Sequence, residues 1–344
     1  MAGEASGEDW STFVRVAYRG LLRREADEEA LNAFVHQLSE EGAAPATVLS
    51  AIMASPEYVR RNAPYTLEED ERIAAHRTPS VLELSSRLER DRPYPKARFE
   101  EVWTQFFERE LPADASDLRE YAEEHKRRFW ETVNAIEILV AHKPGWRMLD
   151  FGVCGLTPLY RRLFSEFELV TSDRPVAPDH LAYFQRISQA AGASAHFSND
   201  LNDPRFLSDA RREEMGSFDV IVFTEVIEHL VVHPVSLLSQ VIRLLAPGGQ
   251  LYITTPNVFS RHRLNEIERR INPQAVFPLD GNEGVHFHHR EFCMSELLDF
   301  VREAGATVTG FYFSDCWESE EQARALADTP DQRSNMVVTA RRDA

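Results

Sequence analysis

Apolar positions recur along the chain with two different periods, and the change from one to the other divides it. From residue 9 to 62 the spacing is helical. Phe13, Val14, Ala17, Tyr18, Leu21 and Leu22 share one stripe, Leu31, Phe34, Val35 and Leu38 a second, and Val48, Leu49, Ile52 and Met53 a third. Ser55-Pro56-Glu57 then has the form of a helix start, a serine N-cap before a proline at the first helical position. Residues 63–95 are charged and interrupted by prolines, as in a linker carrying short helices. Two longer helical patterns follow, over 98–110 and 116–142. Phe129, Val133, Ile136 and Leu139 form the apolar stripe of the second, and Lys143-Pro144-Gly145 stops it.

From Trp146 onward short β-type runs alternate with helical patterns. The runs are Arg147–Phe151, Glu168–Ser172, Ser194–Phe197, Val220–Phe223 and Gln250–Thr254, with helices near 157–165, 178–190 and 234–245 between them. Such alternation predicts an α/β fold with a doubly wound, mostly parallel sheet. Thr307–Phe313 and Met336–Ala340 have no crossover-type helix between them, so they predict an antiparallel edge pair and bring the sheet to seven strands. Three regions are expected: an all-α module for docking or packing over 1–64, a helical linker over 65–145, and the α/β domain over 146–344.

Composition narrows the choice of partner. Hydrophobic residues make up 43% and charged residues 27% of the 344, which is ordinary for a soluble globular protein. The formal net charge is −18, so extended contact with nucleic acid or an anionic membrane needs a local basic patch to overcome the field. Lys126-Arg127-Arg128 is one short basic cluster, read as a solvated helix face; Arg261–Arg270 is another, mixed with Glu266 and Glu268. No apolar run approaches the ~20 residues of a membrane span, and the amino terminus lacks a secretory pattern. The cysteines Cys154, Cys293 and Cys316 are odd in number and far apart, which argues for a reducing compartment. A cytoplasmic location is the expectation.

In an open parallel sheet ligands sit beyond the carboxyl ends of the strands, so the residues just after each run carry the candidate chemistry. Asp150 and Gly152 open a tight turn into a helix, where backbone N–H groups can approach a ligand. Asp173 follows the second run and suits the two hydroxyls of a ribose. Asn199-Asp200-Leu201 follows the third; a carboxylate beside an apolar side chain suits an adenine. Thr224, Glu225, Glu228 and His229 follow the fourth. Were a helix to begin at Glu225, the last three would share one face at spacing i, i+3, i+4. They could form a general base, with His229 taking a proton, or, with His286 or His288, a divalent metal site; as a bland alternative the glutamates simply cap the helix.

In order, "MLDFGVCG", "VTSD", "SNDLND", "FDVIVFTEVIEHL" and "LLAPGGQLYITTPN" resemble the motif set of class I S-adenosylmethionine-dependent methyltransferases over residues 146–344. The resemblance implies a Rossmann-like sheet and S-adenosylmethionine as cofactor. It places Asp150, Gly152, Cys154 and Gly155 at the methionine part, Asp173 at the ribose, Asp200 and Leu201 at the adenine and Thr224 nearby, with 245–249 as a structural turn. The family's first loop usually reads G-x-G-x-G; here Cys154 and Leu156 replace its later glycines, which opens the alternative of a non-catalytic cofactor-binding or scaffold protein. "EVIEHL…TTPN…HFHHREFCMSEL" is similar to ubiquinone-biosynthesis O-methyltransferases and their small-molecule and sugar-modifying relatives. Its E-x-x-E-H is also similar to small-RNA terminal 2′-O-methyltransferases, in which Glu225, Glu228, His229 and His286 or His288 would match metal ligands. The acidic charge favours a small-molecule or glycan acceptor over RNA. "YRGLLRREADEEALNAFVHQL…SPEY" resembles a helical domain of unknown function that occurs beside bacterial glycosyltransferases and methyltransferases.

Overall fold

The computed structural model describes residues 10–22, 24–55, 57–58, 92–111, 116–140, 143–174, 178–203, 205–273 and 288–343. Two compact units emerge, Met1–His76 and Arg77–Ala344. In the first, α1 (Trp10–Leu22), α2 (Glu28–Ser39) and α3 (Pro45–Met53) turn their apolar stripes onto a core of Val14, Tyr18, Leu22, Leu31, Leu38, Val48 and Ile52. The Asp27 carboxylate accepts the Ala30 N–H and caps α2, and Ser55 Oγ accepts the Tyr58 N–H where a helix start was expected.

In the second unit seven strands, β1 (Trp146–Phe151), β2 (Phe167–Asp173), β3 (Ala195–Ser198), β4 (Phe218–Thr224), β5 (Leu245–Pro256), β6 (Thr307–Ser314) and β7 (Asn335–Arg341), form one sheet in the order β3-β2-β1-β4-β5-β7-β6. β1 to β5 are parallel, and β7 runs antiparallel to both β5 and β6, as the patterning predicts. The turn expected at 245–249 is drawn into an irregular start of β5, where Gly248 takes φ +77° and the register with β4 shifts. Strand order reverses at the β1–β4 neighbourhood, so a crevice opens at the carboxyl ends of those two strands.

Both faces of the sheet are buried. One packs Leu149, Ile221, Phe223, Leu251 and Ile253 against α9 (Pro234–Arg243) and α11 (Met294–Glu303), counting the helices in chain order. The other packs Met148, Val220, Val222 and Tyr252 against α4 (Lys96–Thr104), its π-helical extension Gln105–Glu110, and the long α5 (Ser116–Val140). The part of the expected linker between 96 and 140 thus supplies a layer of the α/β core: Phe129, Val133 and Ile136 are fully buried there, at about 2–3 kcal/mol of burial for each large side chain.

The Lys126-Arg127-Arg128 cluster is not a solvated face. Lys126 stacks over the Trp103 ring and pairs with Glu100, Arg127 pairs with the buried Asp315 at 2.7 Å, and Arg128 is 2% exposed. Arg128 lies four residues before Thr132 and eight before Ile136, on the face that α5 turns to the sheet, so its charge was a poorer guide than its phase.

Candidate active site

The turn after β1 is closed by its own side chains. The Thr157 hydroxyl donates to Asp150 Oδ2 at 2.7 Å and accepts the Cys154 N–H at 3.1 Å, tying the strand end to the first turn of α6 (Thr157–Leu163). Gly152 takes φ +83°, and a Cβ there would meet Val226 Cγ2 at 3.1 Å, so glycine is needed twice over. Gly155 is required for another reason: a Cβ would lie 2.9 Å from Ala122 Cβ and 3.2 Å from the Phe107 ring, because α5 rests on the loop. Cys154, where the family has glycine, is absent from the residues with positive φ and carries its side chain without backbone strain. Burial pushes the Asp150 carboxyl up to about 8; the Thr157 hydrogen bond opposes the shift and nearby Asp173 adds to it.

Asp173, at the end of β2, reaches back to this turn. Its Oδ2 accepts the Val153 N–H at 2.8 Å and its Oδ1 the Arg174 N–H at 2.7 Å, while burial raises its carboxyl to about 6. After β3, Asn199 is buried and donates to Ser172 Oγ, Asp200 is exposed, and Leu201 is 8% exposed beneath it. The three strand-end carboxylates assigned by resemblance therefore stand on adjacent strands, with β2 between β1 and β3.

β4 ends differently from the sequence expectation. No helix begins at Glu225, which takes the left-handed φ of +54°; a short 3-10 turn, Ile227–His229, follows. The two glutamates are sorted by consecutive threonines of β5. Thr254 Oγ1 donates to Glu225 Oε1 at 2.6 Å, and Thr255 Oγ1 to Glu228 Oε2 at 2.9 Å. Adjacent strand residues point to opposite faces, and so do these two carboxylates. Glu225 belongs to the side covered by α5, where Asn335 Nδ2 also donates to its Oε1 at 3.0 Å and Arg128 Nη1 lies 4.0 Å away. Glu228 belongs to the other side, with His229 and His288.

His288 arrives there because the Glu228 carbonyl accepts the N–H groups of His289 and Arg290, which folds that segment over the end of β4. Ligand atoms of Glu228, His229 and His288 all lie within 4.8 Å of one another, and the two imidazole rings are 4.9 Å apart. Glu228 is fully buried; its Oε1 meets no hydrogen-bond donor among the described residues and lies 3.8 Å from His229 Nε2. Burial, and then the charge of Glu225, push its carboxyl well above the usual range. His288 Nδ1 lies 2.9 Å from Glu291 Oε1, which orients the ring. Of the residues considered from sequence as metal ligands, three come together, Glu225 is held elsewhere, and His286 lies outside the described residues.

Arg128 is the residue that sequence reasoning missed. From α5 its guanidinium reaches towards Glu225, with Nη1 4.0 Å from Oε1. Nη2 donates to the Tyr121 hydroxyl at 3.1 Å, whereas Nε and Nη1 meet no acceptor among the described residues. Burial is the largest single influence and disfavours its charge; Glu225 is the strongest opposing one, and together with Tyr121, Cys316 and Cys154 it keeps the group protonated. A cleft of about 870 Å³, lined by His288, Glu291, Asn257, Arg261, Asn265 and Trp317 among others, adjoins the histidine side. Among the described residues no helix is long and apolar enough to cross a membrane.

Five parallel strands, an antiparallel edge pair and polar side chains gathered at the carboxyl ends of β1, β2 and β4 define a Rossmann-like methyltransferase fold. The Methyltransferase domain family matches residues 104–309, and the chain belongs to it: this is an S-adenosylmethionine-dependent methyltransferase. Residues 3–62 match the Domain of unknown function (DUF4214). The ubiquinone biosynthesis O-methyltransferase of Burkholderia pseudomallei is 27% identical over 214 residues, covering 59% of this chain and 82% of that protein. The enzyme of the same name from Nitrosococcus oceani is 30% identical over 102 residues, 29% of this chain and 41% of that protein. Among solved structures, the magnesium protoporphyrin IX methyltransferase of Synechocystis PCC 6803 with bound SAH superposes with a TM-score of 0.42 at 15% identity, covering 73% of this chain and 98% of that one.

Proposed function

We propose that the protein transfers the methyl group of S-adenosylmethionine to a hydroxyl of a small-molecule or carbohydrate-type acceptor. The observation that carries this reading is the gathering of Glu228, His229 and His288 at the end of β4, beside a cleft of about 870 Å³. The ubiquinone-biosynthesis relatives, named as O-methyltransferases, support oxygen as the acceptor atom.

On the cofactor side, Asp173 accepts the ribose hydroxyls, Asp200 and Leu201 border the adenine, and Gly152 with Cys154 and Gly155 gives the methionine part room at the first turn. Asp150 shapes that turn through Thr157. The Nε and Nη1 donors of Arg128 take the carboxylate of the methionine part, which offsets the several kcal/mol that a buried, incompletely paired cation costs. Thr224 closes the end of β4. On the acceptor side, the hydroxyl oxygen attacks the methyl carbon in line with the sulfonium; the O–CH3 bond forms as the S–CH3 bond breaks, S-adenosylhomocysteine leaves, and the hydroxyl proton passes to His229. Alignment and proton removal are what the chain contributes.

A second reading of the same three side chains is favoured by their spacing. One carboxylate and two imidazoles suit a divalent ion, the unpaired Glu228 Oε1 fits a ligand role, and the Glu291 carboxylate behind His288 is the usual support of a ligating imidazole. Bound there, the ion would act as a Lewis acid on the acceptor oxygen. Turnover on a panel of phenols, catechols and methyl glycosides, measured with and without a chelator, separates the two. Turnover that survives chelation supports His229 alone; loss restored by a divalent ion, with His288→Ala mimicking the loss, supports the metal. S-adenosylhomocysteine binding that is untouched by both Asp173→Ala and Arg128→Gln would defeat the cofactor assignments.

A further inference from the structure

Glu225 stands apart from the acceptor-side cluster, and its surroundings suggest a different task. Its backbone is bent into the left-handed region at φ +54°, a conformation that strains a residue with a side chain. The bend carries the carboxylate away from Glu228 and onto the side covered by α5. There the two hydrogen bonds it accepts, from Thr254 on β5 and Asn335 on β7, both fall on Oε1. Arg128 Nη1 is 4.0 Å from that same oxygen, too far for a hydrogen bond. The pair is therefore neutralised as charges but not closed as a bidentate bridge. Among the described residues two nitrogens of Arg128 have no acceptor, and the donors from Thr254 and Asn335 both use Glu225 Oε1. Both side chains are almost buried, at 2% and 8% exposure, where charge–charge recognition is stronger than in water. The charge of Arg128 is also felt by the Cys154 thiol in the turn after β1.

A fixed cation and a fixed anion side by side are complementary to a zwitterion, and the amino-acid end of S-adenosylmethionine is one. We propose that Glu225 is a cofactor-binding residue, whose carboxylate accepts the α-ammonium of the methionine part while Arg128 takes its α-carboxylate, and that it has no role in moving the acceptor's proton or in holding a metal. This rests on the cofactor reading given above. It accounts for the anchoring of a single glutamate by three separate elements, β5, β7 and α5, and for its turning away from Glu228.

A double-mutant cycle between protein and ligand tests it. Wild type and Glu225→Gln are titrated calorimetrically with S-adenosylhomocysteine, with its analogue in which the α-ammonium is replaced by hydrogen, and with 5′-methylthioadenosine. The glutamine keeps an oxygen for Thr254 and Asn335 but loses the charge. Glu225→Gln is expected to weaken S-adenosylhomocysteine at least tenfold, and the other two ligands less than twofold. Equal weakening of all three, or none, overturns the assignment. So does a kcat that collapses while the KM for S-adenosylmethionine stays unchanged. Should Glu225→Gln fail to fold, Asn335→Ala serves. It retains both charges but releases the carboxylate, and the same ligand-selective loss is expected at about threefold; an unselective loss again overturns the assignment. If wild type binds neither S-adenosylhomocysteine nor 5′-methylthioadenosine, the cofactor reading itself fails and this inference with it.

Discussion

The turns after β1 and β4 lie side by side at the switch point of the sheet, yet they handle their polar groups in opposite ways. After β1 the groups satisfy one another: Asp150 is met by Thr157, the Cys154 N–H by Thr157, and the Val153 N–H by Asp173. After β4 they do not: Glu228 Oε1 and two nitrogens of the adjoining Arg128 are buried with no partner among the described residues. An unmet buried polar group costs ~1–3 kcal/mol, more when charged. The first turn is thus a shaped cradle whose role is geometric, and the second holds donors and acceptors in reserve. Substitutions should separate the two: chemistry or ligand affinity lost after β4, shape and stability lost after β1.

The largest effect is expected at His229. His229→Ala should lower kcat by about 10²–10⁴-fold, the range for a lost general base, with S-adenosylhomocysteine affinity unchanged by calorimetry. A kcat that stays near wild type while the melting temperature falls would erase the distinction between the two turns. Asp173→Ala comes next. It removes the carboxylate assigned to the ribose, and S-adenosylhomocysteine should bind roughly 10–100-fold more weakly, from charge-assisted hydrogen bonds of ~1.5–3 kcal/mol. The unliganded protein should also lose about 1–3 kcal/mol of stability, read from its melting temperature by circular dichroism, because the Val153 N–H loses its acceptor.

Asp150 sharpens the contrast through pH. Its carboxyl is raised from 3.8 to about 8 in the folded protein, so between those values the native state binds the proton more tightly than the unfolded chain. Stability from this group is fully present at low pH and falls as pH rises through that window, by up to about 1.4 kcal/mol per pH unit. Asp150→Asn cannot ionise. The stability of wild type minus that of Asp150→Asn, from urea unfolding, should therefore decrease steadily from pH 4 to pH 8; a flat difference would remove the buried, proton-holding role. The smallest effects are in the loop itself. Gly155→Ala should cost about 1–3 kcal/mol, because its methyl collides with Ala122 and Phe107. Cys154→Gly, which restores the family's residue, should cost no more than about 1 kcal/mol from added chain entropy and leave cofactor affinity within twofold. A large gain in affinity would mean that Cys154 crowds the ligand after all.

The period of the apolar residues carried most of the architecture. β1 and β4 are mostly apolar because both faces of a parallel sheet are covered in its middle, and each of the five expected runs overlaps a strand. The antiparallel pair β6 and β7 was legible because nothing of crossover length lies between its strands. Candidate residues were legible too, since polar groups that end an apolar strand have few other places to be. Glu225 shows where that reasoning stops. Grouping it with Glu228 and His229 assumed a helix, but a positive φ at one residue sent its side chain to the opposite face of the sheet. Arg128 shows the same limit from the other side: a charged residue inside a basic triplet read as surface, while the helix phase placed it under α5.

Taken alone, then, the sequence determined the element order, the class of fold and the strand ends where chemistry gathers, because local periodicity and strand termini depend on nearby residues. The assignment of partners was decided only in three dimensions. Thr254, Thr255 and Asn335 sort the two glutamates through strand pairing between residues some 30 to 110 positions apart, and His288 joins Glu228 through backbone hydrogen bonds across a comparable gap. Alternation along β5 sends neighbouring side chains to opposite faces, so which carboxylate meets the guanidinium and which meets the imidazoles is a property of sheet register, which no local pattern records.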